Sequence, residues 1–292
     1  MSERDELVEA ITRRILAELQ QSAGKDGCCA DCSGSCAACC SDKVRQTVEA
    51  GASRISYQGD GGKIPADLAR YIDHTLLKPD ATAADIDRYC AEAKKFGFAA
   101  VCVNPVWVKR AAESLRGSNV VVASVVGFPL GAQTTDIKVL EARRALRDGA
   151  KEIDMVMNVG ALKSGDQPAV KQDIARVAEA CHEARAVLKV ILETGLLTDE
   201  EKVIASKLAR AARADFVKTS TGFGPGGATP FDVALMREAV GPAMGVKASG
   251  GVRTREQAEA MIAAGATRIG ASAGIAIVGG ESEKGGTASG RY

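Results

Sequence analysis

From Lys63 onward, short runs of β-forming residues alternate with longer runs of helical periodicity, and this alternation restricts the fold more than any other feature of the chain. The strand-like runs fall at 71–76, 98–103, 119–126, 152–158, 187–193, 214–219, 243–248 and 267–270, eight in all. Helix-like runs at 82–96, 134–147, 169–185, 198–212, 231–239 and 254–264 lie between them, and a closing segment at 272–278 follows the last. Neighbouring parallel strands need a long crossover, usually a helix, so the pattern predicts repeated βαβ units. Eight such repeats in about 230 residues predict an α/β fold of the closed (β/α)8 TIM-barrel type. The alternative is a doubly wound open sheet, which would more often have fewer strands; no GxGxxG motif follows the first strand run.

Three segments follow from this reading: an amphipathic helix within residues 1–20, a Cys/Gly-rich linker region over 21–62 that includes a second short helix at 42–50, and the barrel with its C-terminal tail over 63–292. The formal net charge of +1 gives no long-range attraction for nucleic acid or anionic membrane. No apolar window approaches the ~18 residues of a membrane span, and the N-terminus MSERDELVEA carries charge where a signal peptide would be apolar. A cytoplasmic protein is expected. Six of the nine cysteines, Cys28, Cys29, Cys32, Cys36, Cys39 and Cys40, are crowded into the linker, which is not the layout of a secreted disulfide framework. Two CxxC pairs, Cys29/Cys32 and Cys36/Cys39, have thiolates suited to zinc or an iron–sulfur cluster, but their separation is tight for tetrahedral closure. A redox-sensitive linker, a modification site and a segment that binds nothing are the other readings. Cys90, Cys102 and Cys181 are expected to stay reduced.

Barrel strands should be rich in branched apolar residues, so charges inside them call for an explanation. Asp154, Lys189, Glu193, Lys218 and Lys247 all fall in strand runs, mostly toward the C-terminal ends where barrels keep their active sites. Alternation puts Phe216, Lys218 and Ser220 on one face, Gly245, Lys247 and Ser249 on one face, and Asp154, Val156 and Asn158 on one face. Adjacent strands thus aim two lysines into one cavity. Desolvation and mutual repulsion there are expected to lower both lysine pKa values, and a free amine attacks carbonyls. Asp154 supplies a proton-transfer partner. The bland alternative is a set of strand-end residues reaching solvent or pairing with acids such as Glu193. Three glycine-rich loops, 219–227, 248–253 and 268–274, follow the last three strands; their exposed amides suit a phosphate, with Ser272 at the start of a short helix.

The motifs YIDHTLLKPDAT, FGFAAVCVNP, VVGFPLG, KEIDMVMNVGAL, KVILETGLL, FVKTSTGF, GVKASGGVRT and GATRIGASAG occur in order from Tyr71 to Ile277. In these the chain resembles the deoxyribose-phosphate aldolase family of class I, Schiff-base aldolases. The resemblance implies reversible cleavage of 2-deoxy-D-ribose 5-phosphate to D-glyceraldehyde 3-phosphate and acetaldehyde, with no metal or other cofactor. It implies that Lys218 forms the Schiff base, that Asp154 and Lys247 assist proton transfer, and that Asp73, Cys102 and Lys189 belong to the site. It places phosphate at Gly222, Gly250, Gly251, Gly270 and Ser272, and it implies a homo-oligomer. Some members have two consecutive serines in the last loop; here Ala273 follows Ser272, which removes one hydroxyl contact. Some end in a tyrosine that reaches the site from the tail, and this chain ends in Tyr292, either such a residue or an accidental terminal aromatic. The competing functions are another class I aldolase or transaldolase-like enzyme acting on a different phosphorylated sugar, and a non-catalytic microcompartment component.

Other residues invite a function and are read as structural: His74 and His182, neither with a second histidine at ligand spacing; Trp107, packing a helix on the barrel; Pro129 and Gly160, as loop punctuation. The helix at 4–20 carries an apolar stripe of Leu7, Val8, Ile11, Ile15 and Leu19 that it cannot bury alone. With its spacer, the segment resembles the encapsulation peptides that carry enzymes into bacterial microcompartments, which implies a shell or core protein as partner and a location inside such a compartment.

Overall fold

The computed structural model describes residues 67–279. The helices expected at 4–20 and 42–50, the cysteine cluster and Tyr292 lie outside the described residues. Eight parallel strands close into a barrel in chain order: β1 (Ile72–Leu76), β2 (Ala100–Val103), β3 (Val121–Val126), β4 (Glu152–Val156), β5 (Val187–Ile191), β6 (Phe216–Lys218), β7 (Gly245–Ser249) and β8 (Arg268–Ala271). β8 closes on β1 with Ile72 opposite Ile269. Around it lie α1 (Ala83–Phe96), α2 (Val108–Ser114), α3 (Thr135–Arg147), α4 (Val159–Lys163), α5 (Gln167–Glu183), α6 (Asp199–Ala211), α7 (Pro230–Val240), α8 (Arg255–Ala263) and α9 (Gly274–Ile277).

The alternation read from the sequence has two destinations. Ile72, Leu76, Val101, Val103, Val122, Ile153, Met155, Leu188, Val190, Val217, Val246 and Ile269 point outward into the main core, against helix residues such as Ile86, Val139, Ile174 and Val233. Their burial drives the helices onto the barrel, at roughly 1.5–3 kcal/mol for each large side chain. Asp73, Ala100, Cys102, Ala123, Glu152, Asp154, Lys189, Lys218 and Lys247 occupy the alternate positions and are buried in the lumen. Threonine caps set where several helices begin. Thr82, Thr198 and Thr254 each accept the N–H of the residue three on, and Asp85, Glu201 and Gln257 close the capping box in return.

Several expectations change in detail. α2 was not among the expected helices: it has one short run, and the apolar Val106, Trp107 and Val108 before and at its start read equally as strand. Trp107 packs partly buried against the core, as expected. Gly160 lies inside α4 rather than in a loop. β4 ends at Val156, and Asn158 leaves the strand pattern to cap α4 by accepting the Ala161 N–H at 3.0 Å. β5 ends at Ile191, so Glu193 lies beyond the strand. Of the charged strand residues only Lys218 ends its strand; Asp154, Lys189 and Lys247 sit mid-strand, deeper in the barrel than expected. His74 faces outward, bonded through Nε2 to Glu92 at 2.7 Å and stacked on Tyr89, which agrees with a structural role. Among the described residues, no helix is long and apolar enough to cross a membrane.

Candidate active site

The lumen is divided into two halves. Strands β1 to β3 supply an apolar wall of Leu77, Ala100, Cys102, Ala123 and Val125, with Phe128 packed on it. The remaining strands, with Asp73 from β1, supply a charged wall. Its base is Arg268, whose guanidinium donates to Asp73 Oδ1 at 2.6 Å and to Glu152 at 3.1 Å, and lies 5.7 Å from the centre of the Phe216 ring. The ring in turn fills the space of a missing side chain: a Cβ on Gly245 would come within 2.2 Å of it.

Above this base Asp154 gathers the Nζ atoms of three lysines. Lys189 Nζ donates to Asp154 Oδ1 at 2.9 Å and to Glu152 Oε2 at 2.5 Å. Lys218 Nζ and Lys247 Nζ both donate to Asp154 Oδ2, at 2.8 and 2.7 Å. Lys247 also pairs with Asp73 Oδ2 at 2.5 Å. The register explains the convergence: Asp154 is opposite Lys189 across β4 and β5, and Lys218 is opposite Lys247 across β6 and β7. Gly270 makes room for this, because a Cβ there would lie 3.0 Å from Lys247 Cε.

The electrostatics single out one lysine. Burial lowers the pKa of Lys218, and although Asp154 opposes this, Lys247 reinforces it, leaving the value below the ordinary range. Lys247 was expected to behave likewise and does not. Burial acts against its charge too, but it lies between Asp154 and Asp73, and these two carboxylates hold it above its ordinary pKa. Lys189, facing Asp154, Glu152 and Asp73, is raised further. Burial works against ionised Asp154, yet Lys189, Lys218 and Lys247 hold its carboxyl well below the usual range. The balance is simple: Lys189, Lys218, Lys247 and Arg268 face Asp73, Glu152 and Asp154. The lumen is neutral when one lysine is deprotonated, and Lys218 is the one shared least with carboxylates. Lys218 is therefore the lysine of the three whose ammonium form the lumen favours least, and Lys247 and Lys189 are held charged.

The other expected residues divide. Asp73 and Lys189 lie in this network. Cys102 is on the apolar wall, and burial pushes its thiol up to about 11, so it is protonated and not a nucleophile at neutral pH. Gly222, Gly250 and Gly251 follow β6 and β7 with positive φ, and Ala228 N–H joins the two loops by donating to Gly250 O at 2.9 Å. Gly270 is within β8; Ser272 is exposed and two residues ahead of α9, not its cap. Sequence reasoning missed Glu152 and Arg268 as parts of the network. Their signal was present, since Glu152 is two residues from Asp154 and on the same face.

The pattern of the DeoC/LacD family aldolases matches residues 68–291. The chain belongs to the DeoC/LacD aldolase family. Among relatives in this family, the deoxyribose-phosphate aldolase of Streptococcus gordonii is 59% identical over 225 residues, covering 77% of this chain and 99% of that one. That of Thermococcus gammatolerans is 62% identical over 214 residues, covering 73% and 95%. The solved deoxyribose phosphate aldolase of Aeropyrum pernix, described as a tetramer, superposes with a TM-score of 0.69 at 34% identity, covering 81% of this chain and 95% of its own. The DeoC/LacD match begins at residue 68, so residues 1–67 precede it.

Proposed function

We propose that this chain catalyses the reversible aldol cleavage of 2-deoxy-D-ribose 5-phosphate to D-glyceraldehyde 3-phosphate and acetaldehyde, through a Schiff base on Lys218. The observation that carries this is the sharing of one carboxylate oxygen, Asp154 Oδ2, by a lysine of lowered pKa and a lysine of raised pKa. Lys218 adds as a neutral amine to the C1 aldehyde, and water leaves to give an iminium. The C3 hydroxyl then loses its proton, the C2–C3 bond breaks, and its electron pair passes into the iminium to leave an enamine and glyceraldehyde 3-phosphate. Protonation of the enamine at C2, followed by hydrolysis, releases acetaldehyde and restores the amine. In this reading Asp154 takes and returns these protons, and Lys247, with Lys189, helps to keep it ionised between steps. The apolar wall with Cys102 takes the methyl end of the two-carbon unit. Asp73 and Lys189 fix the network, and the phosphate meets the loops of Gly222, Gly250, Gly251, Gly270 and Ser272. The relatives' substrate is the reason for naming this sugar phosphate rather than that of another class I aldolase. The tetrameric relative supports a homo-oligomer.

Trapping tests the chemistry. With acetaldehyde and borohydride, one adduct of about 28 Da is expected on the peptide that carries Lys218. Because burial lowers the Lys218 pKa, trapping should persist to a lower pH than for an exposed lysine and fall only as the amine protonates. An adduct elsewhere, or none, would refute the assignment, and a coupled assay over several sugar phosphates identifies the substrate.

For the segment ahead of the aldolase region we propose docking on a microcompartment shell or core protein through Leu7, Val8, Ile11, Ile15 and Leu19, in a domain plan of 1–20, 21–62 and 63–292. The product supports this reading, since acetaldehyde is volatile and reactive and is well confined. Deleting residues 1–20 should leave kcat and KM within about twofold. The same segment fused to a fluorescent protein should enter co-expressed shells, and glutamate at Ile11 and Ile15 should stop it. Diffuse fluorescence beside intact shells would count against the idea.

A further inference from the structure

A buried carboxylate that the chemistry above does not use ties the loop after β6 to the end of β5. Glu193 is 4% exposed and has φ 57° and ψ 62°, the left-handed conformation. That backbone suits glycine or asparagine better than glutamate, so what the residue contributes is its side chain. Its two oxygens face the Thr221 N–H at 3.4 and 3.3 Å, and Oε2 also accepts the Thr221 hydroxyl. Thr221 Oγ then accepts the N–H of Phe223 at 3.1 Å and of Gly224 at 3.3 Å. The backbones are pressed together around this knot. Thr194 N–H donates to Thr219 O at 3.0 Å, a Cβ on Gly195 would lie 2.0 Å from Pro225 O, and one on Gly224 would lie 2.9 Å from Glu193 Cδ.

The knot fixes residues 221–224, which begin three positions after Lys218. This turn carries two things toward the barrel mouth. One is Gly222, held at φ 88°. The other is Phe223, whose ring meets Phe128 edge-on at 5.3 Å and 87°, joining the loop to the apolar wall of the lumen. With the Thr221 amide directed to Glu193 and those of Phe223 and Gly224 to Thr221 Oγ1, what the turn offers a phosphate depends on where Gly222 is held.

We propose that Glu193 is a positioning residue for the phosphorylated substrate: through Thr221 it holds the turn that presents Gly222 and Phe223 at the mouth, without touching substrate itself. This rests on the aldolase reading above. The left-handed backbone of Glu193, costly for a glutamate, fits pre-organisation of the turn that its side chain holds.

The test compares Glu193→Gly, Glu193→Gln and Thr221→Val with the wild-type enzyme. Glycine suits the backbone of residue 193, so Glu193→Gly removes the knot while keeping the conformation that the fold requires. It is expected to raise KM for deoxyribose 5-phosphate about tenfold or more, with kcat/KM for unphosphorylated deoxyribose changed less than about threefold. Borohydride trapping of acetaldehyde on Lys218 should stay within about twofold of wild type. Thr221→Val should reproduce this pattern. Glu193→Gln should recover most of the KM, since its amide oxygen still accepts the Thr221 hydroxyl. A KM for Glu193→Gly within about twofold of wild type would overturn the proposal, as would equal losses on both substrates or in trapping, which would mark a general structural role. Wild-type protein that neither traps acetaldehyde nor turns over the sugar phosphate would instead overturn the aldolase reading, and this proposal with it.

Discussion

Replacing Lys218 by leucine is expected to lower turnover of deoxyribose 5-phosphate by a factor on the order of 10⁴ or more, with the fold intact. Leucine fills the stem's space but has no amine, so the proposed iminium cannot form, and no described nucleophile of the lumen is suited to replace it. Lys247 and Lys189 are held as ammonium ions by Asp154, Asp73 and Glu152, and the Cys102 thiol is protonated at neutral pH. Stability should move in the other direction from activity. Lys218 is buried, its charge is disfavoured by burial and by Lys247, and Asp154 keeps two other partners when it is gone. Thermal unfolding of the variant should therefore start no lower than in wild type, while a coupled dehydrogenase assay reads the lost turnover. Residual activity above about 5% would show that another amine carries the reaction.

The contrast between Lys218 and Lys247 also shows where the sequence stops being informative. The positions of both lysines and of Asp154 were legible because period-two alternation decides which side of a strand a residue faces, and eight regular repeats leave few ways to close a sheet. Repulsion between the two lysines was legible as well. That only one of them has its pKa lowered was not, because the answer lies in how many carboxylates each can reach, and Asp73 comes to Lys247 from a strand 174 positions earlier in the chain. Arg268 and Glu152 were overlooked for a related reason. Each begins its strand, where a charge ordinarily reaches solvent, and only closure of the barrel directs both inward to Asp73 and Lys189. Glu193 was legible as a buried acid in a strand run but not as the anchor of a loop. Its assignment depends on β5 stopping at Ile191 and on a left-handed backbone that no local pattern announces.

Substituting Asp154 should reverse the stability result and separate Schiff-base formation from turnover. In Asp154→Asn the side-chain volume is kept and the negative charge is lost. Lys189 retains Glu152 and Lys247 retains Asp73, but Lys218 loses the carboxylate that holds it. Removing one partner from a fully buried ionic network costs about 3–5 kcal/mol, far more than an exposed pair is worth. For a domain of this size that corresponds to a fall in Tm of roughly 6–20 °C. The pH dependence has a definite sign. Folding holds the Asp154 carboxyl below its ordinary pKa, against the effect of burial, because Lys189, Lys218 and Lys247 surround it. Its contribution is thus fully present above the ordinary carboxylate range, near pH 4, and is lost as pH falls toward the depressed folded value. The gap in stability between wild type and Asp154→Asn should be widest near neutrality and narrow in acid. On the proposed mechanism kcat should fall by about 10²–10⁴, because the group proposed to accept the proton is gone. Trapping of acetaldehyde on Lys218 should nevertheless persist and extend to lower pH, since the carboxylate that favoured the ammonium form has been removed. Asp154→Asn protein that is as stable as wild type at pH 7, or that loses trapping together with turnover, would show that the three lysines are not organised around this one carboxylate.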